Sequence, residues 1–499
     1  MRHKRIPFAC LAVACVLANT LLLCRPALGQ APAPTPQSSS SSYSGGQSSN
    51  ASQSGNPGAA LSQSPFSGSV PEGKPTAEVL PLSFKDAIDR GLRNNLGLLL
   101  QSDTSLTAQG EKWKELSELL PHVSATVSQS VEQIDLPALG FRLNFPGIPT
   151  VIGPVGVFQS GVYLTQSVFD YHAIERKRGA SYNERAALYN LKNARDLVVL
   201  AVGNSYLVAL AGSARVDTAQ ADVETAQALY DKAADQQKAG TIPAIDALRA
   251  HVELQSRQQQ LIVARNDYAK QKLTLGRVIG LPPGQEFSLT TAAPYEPLTT
   301  LPLEQDLQRA YASRPDYLAA AQQVRSSEEF RRAATAEYYP SLGIAGDYGA
   351  AGIRPGSSHN VYEVGATLNI PIFAGGRTHA DVLEAEATLR QSRQQLENLR
   401  GQIDYEVRSA RLDLNAAADQ VEVARSSVDL ANQTLEQARD RFSAGVTDNL
   451  EVVQAQDALT SAKETYISAL YSHNLAKIEL AKAVGFAEEG VKQYLQNQK

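Results

Sequence analysis

The chain has 499 residues, a net charge of −5 at pH 7 and three cysteines. All three cysteines lie within residues 1–29, so the rest of the chain has no thiol, and its stability must come from packing and assembly rather than from disulfides. Residues 1–29 also hold four basic and no acidic residues, so the remainder is still more acidic, which argues against nucleic acid as a partner.

The N-terminus, residues 1–29, is predicted to be an export signal peptide. Basic residues open it, an apolar run follows, and residues 27–29 offer a small-x-small cleavage site. A membrane anchor is the alternative, although the run is short for a span of ~20 residues. Leu23 does not suit a lipoprotein signal before Cys24, and lipidation there stays open. Residues 30–78, rich in Ser, Gly, Pro and Gln, are predicted to be a disordered tether.

The rest of the chain is built twice, as residues 80–283 and residues 300–487, followed by a C-terminal tail at 488–499. The stretch 239–246 recurs at 444–451, a shift of 205 positions. Each copy predicts a helix, two strands, a long helix and a shorter helix. Because a large tandem repeat determines the architecture, we expect two structurally equivalent halves.

Each copy opens with a helical pattern, over residues 83–120 and 304–339. The first pattern weakens at residues 94–97, and Arg314-Pro315 stands at the matching place of the second. Proline disfavours helix in the residue before it, so both helices are predicted to break or bend there.

Two strand pairs follow these helices. The alternation of apolar and polar residues is clearest in the return strands, residues 160–169 and 361–373, and Gly- and Pro-rich loops are predicted over 132–159 and 349–360. Such segments suit an outer-membrane barrel wall, and a half-buried soluble sheet is the alternative.

The strand count has a consequence for assembly. No apolar run after residue 29 is long enough for a transmembrane helix, so crossing a membrane would require a closed barrel. Closure takes about eight strands or more, and four per chain are too few. Three copies would supply twelve strands, which predicts a trimer.

The long helices carry a heptad pattern. Residues 377–443 contain no proline, and apolar residues recur every seven positions from Val382 to Ala438. Such a helix reaches on the order of 100 Å. The shorter helices, 244–279 and 450–484, are predicted to fold back as antiparallel hairpins. Stacked on the pre-strand helices, they would complete a helical tube, with a solitary coiled-coil rod as the alternative.

The chain resembles the TolC-like outer-membrane efflux proteins from about residue 80 to residue 486. The resemblance rests on the duplication, on the strand-end motif at 368–377 with its echo at 166–170, and on the turn motif at 442–455. It implies a mainly α fold with β: a homotrimer with a 12-stranded barrel in the outer membrane of a Gram-negative-type bacterium, continuous with an α-helical barrel through the periplasm. Family members are passive ducts that dock with a periplasmic adaptor and an inner-membrane transporter of the RND or ABC type, in efflux or type I secretion.

The resemblance also implies two sites near the hairpin turns. The adaptor-docking tip comprises Ala239, Gly240, Thr241, Ala444, Gly445 and Val446. The gate comprises Asp246, Phe442, Thr447, Glu451 and Gln454.

The gate departs from the family pattern. Glu451 falls on one acidic ring position, whereas the second ring position is the uncharged Gln454. Asp246 matches the acidic latch residue, but Thr447 and Phe442 replace its basic and hydroxyl-bearing aromatic partners. We therefore expect a weaker or a different latch. Alternatively, Glu451 is only a helix-start carboxylate, and the turn glycines only reverse the chain.

Other function classes find little support in the sequence. The seven histidines are scattered without metal-ligand spacing, and phosphate-binding loops and nucleophile motifs are absent, so we expect no catalytic residues, metal or cofactor. The remaining alternative is a periplasmic coiled-coil adaptor or scaffold without a barrel. The strand pairs argue against it.

Overall fold

The computed structural model describes residues 65–135, 138, 151–291, 295–298, 301–444, 446–447 and 449–490. They belong to the unit Pro57–Lys499. The predicted signal peptide and the other residues of the unit Met1–Asn56 lie outside the described residues, as do Gly445 and residues 491–499 of the predicted tail.

Eight α-helices occur within these residues, four in each repeat. They are α1 Phe84–Asn94, α2 Leu96–Ser117, α3 Tyr171–Lys238, α4 Ala244–Ile279, α5 Leu303–Ser313, α6 Pro315–Ala336, α7 Arg377–Ser443 and α8 Asn449–Val484. The helix order is the same in both halves, as the repeat predicts.

The predicted breaks in the first helix of each repeat are present, but their polar groups are satisfied differently. Asn95 is buried between α1 and α2, and its side chain accepts a hydrogen bond of 3.0 Å from the Gly97 N–H, which caps α2. Arg314, 2 % exposed between α5 and α6, forms ion pairs with Asp316 and Glu406 at 2.6 and 2.7 Å. One break is thus held by a cap and the other by buried charges.

The folded part begins earlier than the sequence indicated. Residues 65–78 were assigned to the tether, yet the Phe66 carbonyl accepts a hydrogen bond of 2.6 Å from Asn95 Nδ2. The Val70 N–H donates to the Asn94 carbonyl at 2.8 Å. These contacts fill the break between α1 and α2. The Phe66 side chain also packs against the apolar core of the helices, whereas the hydrogen bonds use backbone groups of this segment, of which composition gives no sign.

Six strands form two sheets within the described residues. They are β1 Leu80–Leu82, β2 His122–Asp135, β3 Val151–Phe169, β4 Phe287–Leu289, β5 Ser341–Gly352 and β6 Ser358–Asn369. The larger sheet has the order β2-β3-β5-β6 with antiparallel neighbours, and its β3–β5 pairing joins the two repeats. The short strands β1 and β4 pair in parallel.

The strand limits differ from the predicted ones. β2 and β3 extend well into the predicted 132–159 loop, where Glu132 pairs with Val155. The Gly and Pro content predicts a loop, but ladder pairing extends into both ends of it, to Asp135 and from Val151. β6 ends at Asn369 rather than at residue 373. After it, Gly375 and Gly376 adopt φ of 64° and 87°, a left-handed turn that leads into α7.

The larger sheet is exposed on both faces within the described chain. On β2, Val123, Val127 and Val131 are 66–75 % exposed, and on β6 the exposures of Tyr362 and Val364 are 78 % and 76 %. A sheet normally buries at least one face. This one therefore needs a covering that the single chain does not supply.

The helices form one layer in which α3 lies between the short helices of both repeats. α3 contacts α2 and α4 from its own repeat and α6 and α8 from the other, and α7 contacts α6 and α8. Two short helices thus share the length of each long helix, as predicted. The heptad positions face these neighbours: Leu389, Ile403, Ala410, Ala417, Ala424 and Ala438 are all buried in α7.

One stretch corrects the expectation of no span-length apolar segment. α3 contains an 18-residue window with a mean hydropathy of 1.8, long and apolar enough to cross a membrane. Half of that window is buried. Val198, Val202 and Tyr206 belong to a core cluster with Leu275 and Ile478, so packing in the helical layer accounts for this apolar character.

Candidate functional site: the tips of the two helical hairpins

The first tip, the turn between α3 and α4, is a complete Schellman motif. The Gly240 N–H donates to the Gln237 carbonyl at 2.9 Å, and the Thr241 N–H donates to the Gln236 carbonyl at 2.9 Å. Gly240 has φ +74°, the left-handed conformation that glycine adopts most readily. The space beside its Cα is open, and Ala239 and Thr241 are exposed.

The second tip lies between α7 and α8, and its hydrogen bonds are described for Ala444 and Val446. The Ala444 N–H donates to the Asp440 carbonyl at 2.9 Å, and the Val446 N–H donates to the Arg441 carbonyl at 3.0 Å. The latter bond spans five residues, as the bond from Thr241 does in the first tip. Val446 is 69 % exposed. Gly445 lies outside the described residues, so its predicted role stays a prediction.

Glu451 does not stand alone at the start of α8. Arg441 Nη1 donates to its Oε1 at 2.9 Å, and the Thr447 hydroxyl donates to Oε2. Thr447 thus binds the ring-position carboxylate rather than Asp246. Arg441 is not among the predicted gate residues, although its position ten residues before Glu451, across a tight turn, is a usable signal.

The other predicted gate residues are separated. Asp246 forms an ion pair of 3.6 Å with Arg249 on its own helix, and among the described contacts it has none with Thr447 or Phe442. Phe442 is 8 % exposed within a cluster between α7 and α8, with the Lys232 ammonium 5.6 Å from its ring centre. It is therefore a packing residue. Gln454 is exposed.

A polar layer lies farther along the hairpins. On α3, the buried carboxylate of Asp222 accepts hydrogen bonds of 2.9 Å from Gln456 Nε2 and of 2.9 Å from the Thr460 hydroxyl, both on α8. Arg439 on α7 donates to Gln456 Oε1 at 3.5 Å. Side chains of three helices therefore meet here.

The fourth helix joins this layer through Arg257. This α4 residue is 3 % exposed; it donates to Glu253 at 2.5 Å on its own helix and to Asp457 on α8. Burial lowers the pKa of Arg257, but the Glu253 and Asp457 carboxylates more than offset this and raise it overall. A charged residue at a buried α4 position, three after Leu254, is the signal that sequence reasoning could have used.

The described residues of the tips and of the polar layer do not form a metal site. The described part of the chain contains no group of three or more His, Cys, Asp or Glu side chains placed to hold a metal ion. The polar side chains of the second tip and of the layer bind one another instead.

A tandem repeat that carries strand hairpins and long helical hairpins in each half defines the architecture of outer-membrane export channels. The chain belongs to the outer membrane efflux protein family, whose model matches residues 117–281 and 307–486. The predicted family is thereby confirmed, and with it the outer-membrane location. The alternative of a scaffold without a membrane sheet is not supported.

Known relatives span most of the chain. The alkaline protease secretion protein AprF of Pseudomonas aeruginosa is 23 % identical over 82 % of this chain and 87 % of AprF. Outer membrane protein TolC of Vibrio cholerae is 21 % identical over 75 % of this chain and 84 % of TolC.

A solved structure shows the same fold. The CmeC outer membrane channel of Campylobacter jejuni superposes with a TM-score of 0.71 at 18 % identity, covering 82 % of this chain and 88 % of CmeC. The expected fold class, with its tandem repeat of strands and long helices, is therefore confirmed.

Proposed function

We propose that this protein is a homotrimeric, passive exit duct of a tripartite efflux or type I secretion system. It spans the outer membrane and the periplasm. Its hairpin tips dock with a periplasmic adaptor, which couples it to an inner-membrane transporter of the RND or ABC class. Four features of the chain support this.

The observation that carries the proposal is the incomplete sheet. Within the described residues, β2 and β6 each have a strand neighbour on one side only, and both faces of the sheet are exposed. Unpaired backbone groups are very costly in lipid, so a sheet in the membrane has to close on itself. Three copies pair β6 of one with β2 of the next and give twelve strands.

The helical layer has matching open edges. Large apolar side chains are exposed on the faces of α4 and α7 that point away from the buried residues of these helices. On α4 these are Ile245, Leu248, Val252, Ile262 and Leu273, and on α7 they are Leu383, Tyr405 and Leu412. Exposed apolar stripes of this kind mark interfaces. The α4 stripe of one copy and the α7 stripe of the next close the same ring as the strands.

The tips suit the docking of a helical partner. The first turn is short and exposed and is formed by the small residues Ala239 and Gly240, with open space around the glycine, and Ala444 and Val446 are exposed at the second. A helix hairpin can approach the backbone closely at such a surface. Leu450, 47 % exposed beside the second tip, and Val446 add apolar contact area.

The polarity of the duct follows from the signal peptide and the sheet. Export places the chain beyond the inner membrane, the sheet holds it in the outer membrane, and the helices extend into the periplasm. The chain offers no nucleotide-binding motif for driving transport, so energy comes from its transporter partner.

The test is fractionation followed by bilayer recording. We expect the protein in the outer-membrane fraction, a trimer in mild detergent by native mass spectrometry, and discrete conductance steps in planar lipid bilayers. A monomer recovered from the periplasmic fraction would contradict the proposal. Chemical cross-linking in cells then identifies the adaptor, which we expect to attach at residues 239–241 and 444–446.

A further inference from the structure

The latch residues implied by the family resemblance do not meet in this chain, yet the two hairpins are tied together elsewhere. α4 belongs to the hairpin of the first repeat and α8 to that of the second, and both pack against α3. Arg257 bridges from α4 to Asp457 on α8, so this ion pair reaches across α3.

Hydrogen bonds between α3 and α8 stabilise this ion pair. Asp222 on α3 binds Gln456 and Thr460, which lie one residue before and three residues after Asp457 on α8. Asp222 is 2 % and Gln456 3 % exposed. Buried hydrogen bonds to a carboxylate are costly to break, because the partner is left without compensation. The ion pair and the hydrogen bonds therefore join α3, α4 and α8 at one place.

These contacts lie close enough to the tip to restrain its movement. Asp457 lies eight residues after the start of α8, roughly 12 Å along the helix from the turn. Nearer the tips the two hairpins also touch, because the Lys232 ammonium of α3 lies 5.6 Å from the centre of the Phe442 ring of α7. Contacts between the hairpins close to their ends therefore resist outward rotation of one hairpin relative to the other.

We infer that Arg257 and Asp457, supported by Asp222, Gln456 and Thr460, form the latch that keeps the periplasmic end of this duct closed. The inference rests on the proposed function. It assigns the closed state to a connection between return helices, on residues that the resemblance did not indicate.

The structure also supplies a mild way to open the latch. Arg257 has a second carboxylate partner, Glu253, on its own helix at 2.5 Å. Replacing Asp457, whose side chain is 59 % exposed, by Asn therefore weakens the link between hairpins without leaving the buried guanidinium unpaired. Arg257 itself is the poorer target, since its loss would also disturb α4.

A matched control lies on α7. Asp404 forms an exposed ion pair with Arg408, four residues along the same helix, at 2.8 Å. Asp404→Asn removes a comparable charge and hydrogen bond but no contact between hairpins. Any change that it shares with Asp457→Asn reflects charge loss alone.

The experiment measures conductance of purified protein in planar lipid bilayers after trimer content has been matched. We expect Asp457→Asn to raise the open fraction at least threefold over wild type and Asp404→Asn to leave it unchanged. Thr460→Val, which deletes one hydrogen bond to Asp222, should give a smaller increase and decides the matter if Asp457→Asn forms no trimer.

The possible outcomes distinguish failure of the latch inference from failure of the proposed function. Outer-membrane trimers in which the latch variants conduct like wild type and Asp404→Asn overturn the latch and leave the proposed function intact. A wild-type protein that is neither trimeric nor in the outer membrane overturns the proposed function, and the latch with it.

Discussion

At the scale of single residues, Asp196 on α3 lies in an environment that is unfavourable for its charge. The carboxyl is 8 % exposed, and burial raises its pKa from 3.8 to about 6, opposed by a hydrogen bond with the Glu488 backbone. The neighbouring carboxylates of Glu488 and Asp316 raise the pKa further, and Lys482 lowers it. Asp196 thus carries a charge at neutral pH that its surroundings disfavour.

This environment predicts a pH dependence of stability. Because the pKa of Asp196 is higher in the folded state than in the unfolded state, folding is favoured as pH falls from 7 towards 4. Asp196→Asn removes the penalty, which is up to about 3 kcal/mol at neutral pH at 1.36 kcal/mol per pKa unit. We expect the variant to melt at a higher temperature than wild type at pH 7.5 and at a similar one at pH 4.5. A lower melting temperature at pH 7.5 would contradict this.

A second prediction at this scale concerns Gly240. Valine there has to adopt φ +74°, which costs roughly 1–2 kcal/mol and distorts the first tip. We expect Gly240→Val to keep the trimer but weaken adaptor binding at least tenfold, measured by surface plasmon resonance. Gly284→Val is the matched control, since Gly284 has φ +88° and open surroundings but lies in the turn after α4, away from the tips. Equal affinities for both variants would remove the first tip from the docking site.

At the scale of elements, the junction between repeats is the β3–β5 ladder. Gly349 on β5 is directly paired with Gly161 on β3. A Cβ on Gly349 would lie 2.1 Å from the Ser160 carbonyl oxygen and 2.7 Å from the Gly161 Cα, both main-chain atoms that cannot move without breaking the ladder. The two repeats can therefore form one continuous sheet only with glycine at this position.

Because of this close approach, adding a single methyl group at Gly349 tests whether assembly depends on the β3–β5 pairing. We expect Gly349→Ala to reduce the trimer recovered from the outer membrane by at least fivefold. Gly365→Ala, on β6 with open space around it, should leave the yield unchanged. The measurement is the trimer band in membrane fractions on native gels. Similar losses in both variants would show that general strand propensity, rather than the β3–β5 junction, limits assembly.

At the scale of the whole molecule, a single chain leaves strand edges unpaired and large apolar side chains exposed. Strand edges are open at β2 and β6 within the described chain, and exposed apolar stripes lie on α4 and α7. Within the described chain, the sheet and the helical layer thus each lack a neighbour at both of their edges. Joining copies end to end satisfies strands and helices together, which supports a closed ring of identical chains.

The corresponding prediction places a charge in the helical interface. Leu412 on α7 is 69 % exposed in the single chain, so Leu412→Asp should cost little in the monomer and much in the ring. We expect the trimer fraction to fall at least tenfold in native mass spectrometry. Asn432→Asp adds a charge to an exposed polar position of the same helix and should have no effect. A stable Leu412→Asp trimer would show that this face remains in water.

The sequence determined the features that depend on local pattern. The proline-free stretch 377–443 and its heptad predicted α7, Pro315 marked the helix break at Arg314, and glycine marked the first hairpin turn, because helix length, breaks and reversals follow from nearby residues. The repeat gave the order of elements. The family motifs then gave the class of protein, which the matches to known proteins confirm.

The tertiary structure decided which distant side chains meet. Arg257 and Asp457 are 200 positions apart, whereas the family resemblance gave latch positions at Asp246, Thr447 and Phe442 and, since two of these lack the family's residue types, predicted a weaker or a different latch. Contacts that involve three helices depend on how each helix is rotated and how far it is shifted along its neighbours. The spacing of apolar residues in the sequence determines that shift only to within a helical turn. The ends of β2 and β3 likewise depended on pairing, since backbone hydrogen bonds there extended a ladder through residues that composition alone assigned to a loop.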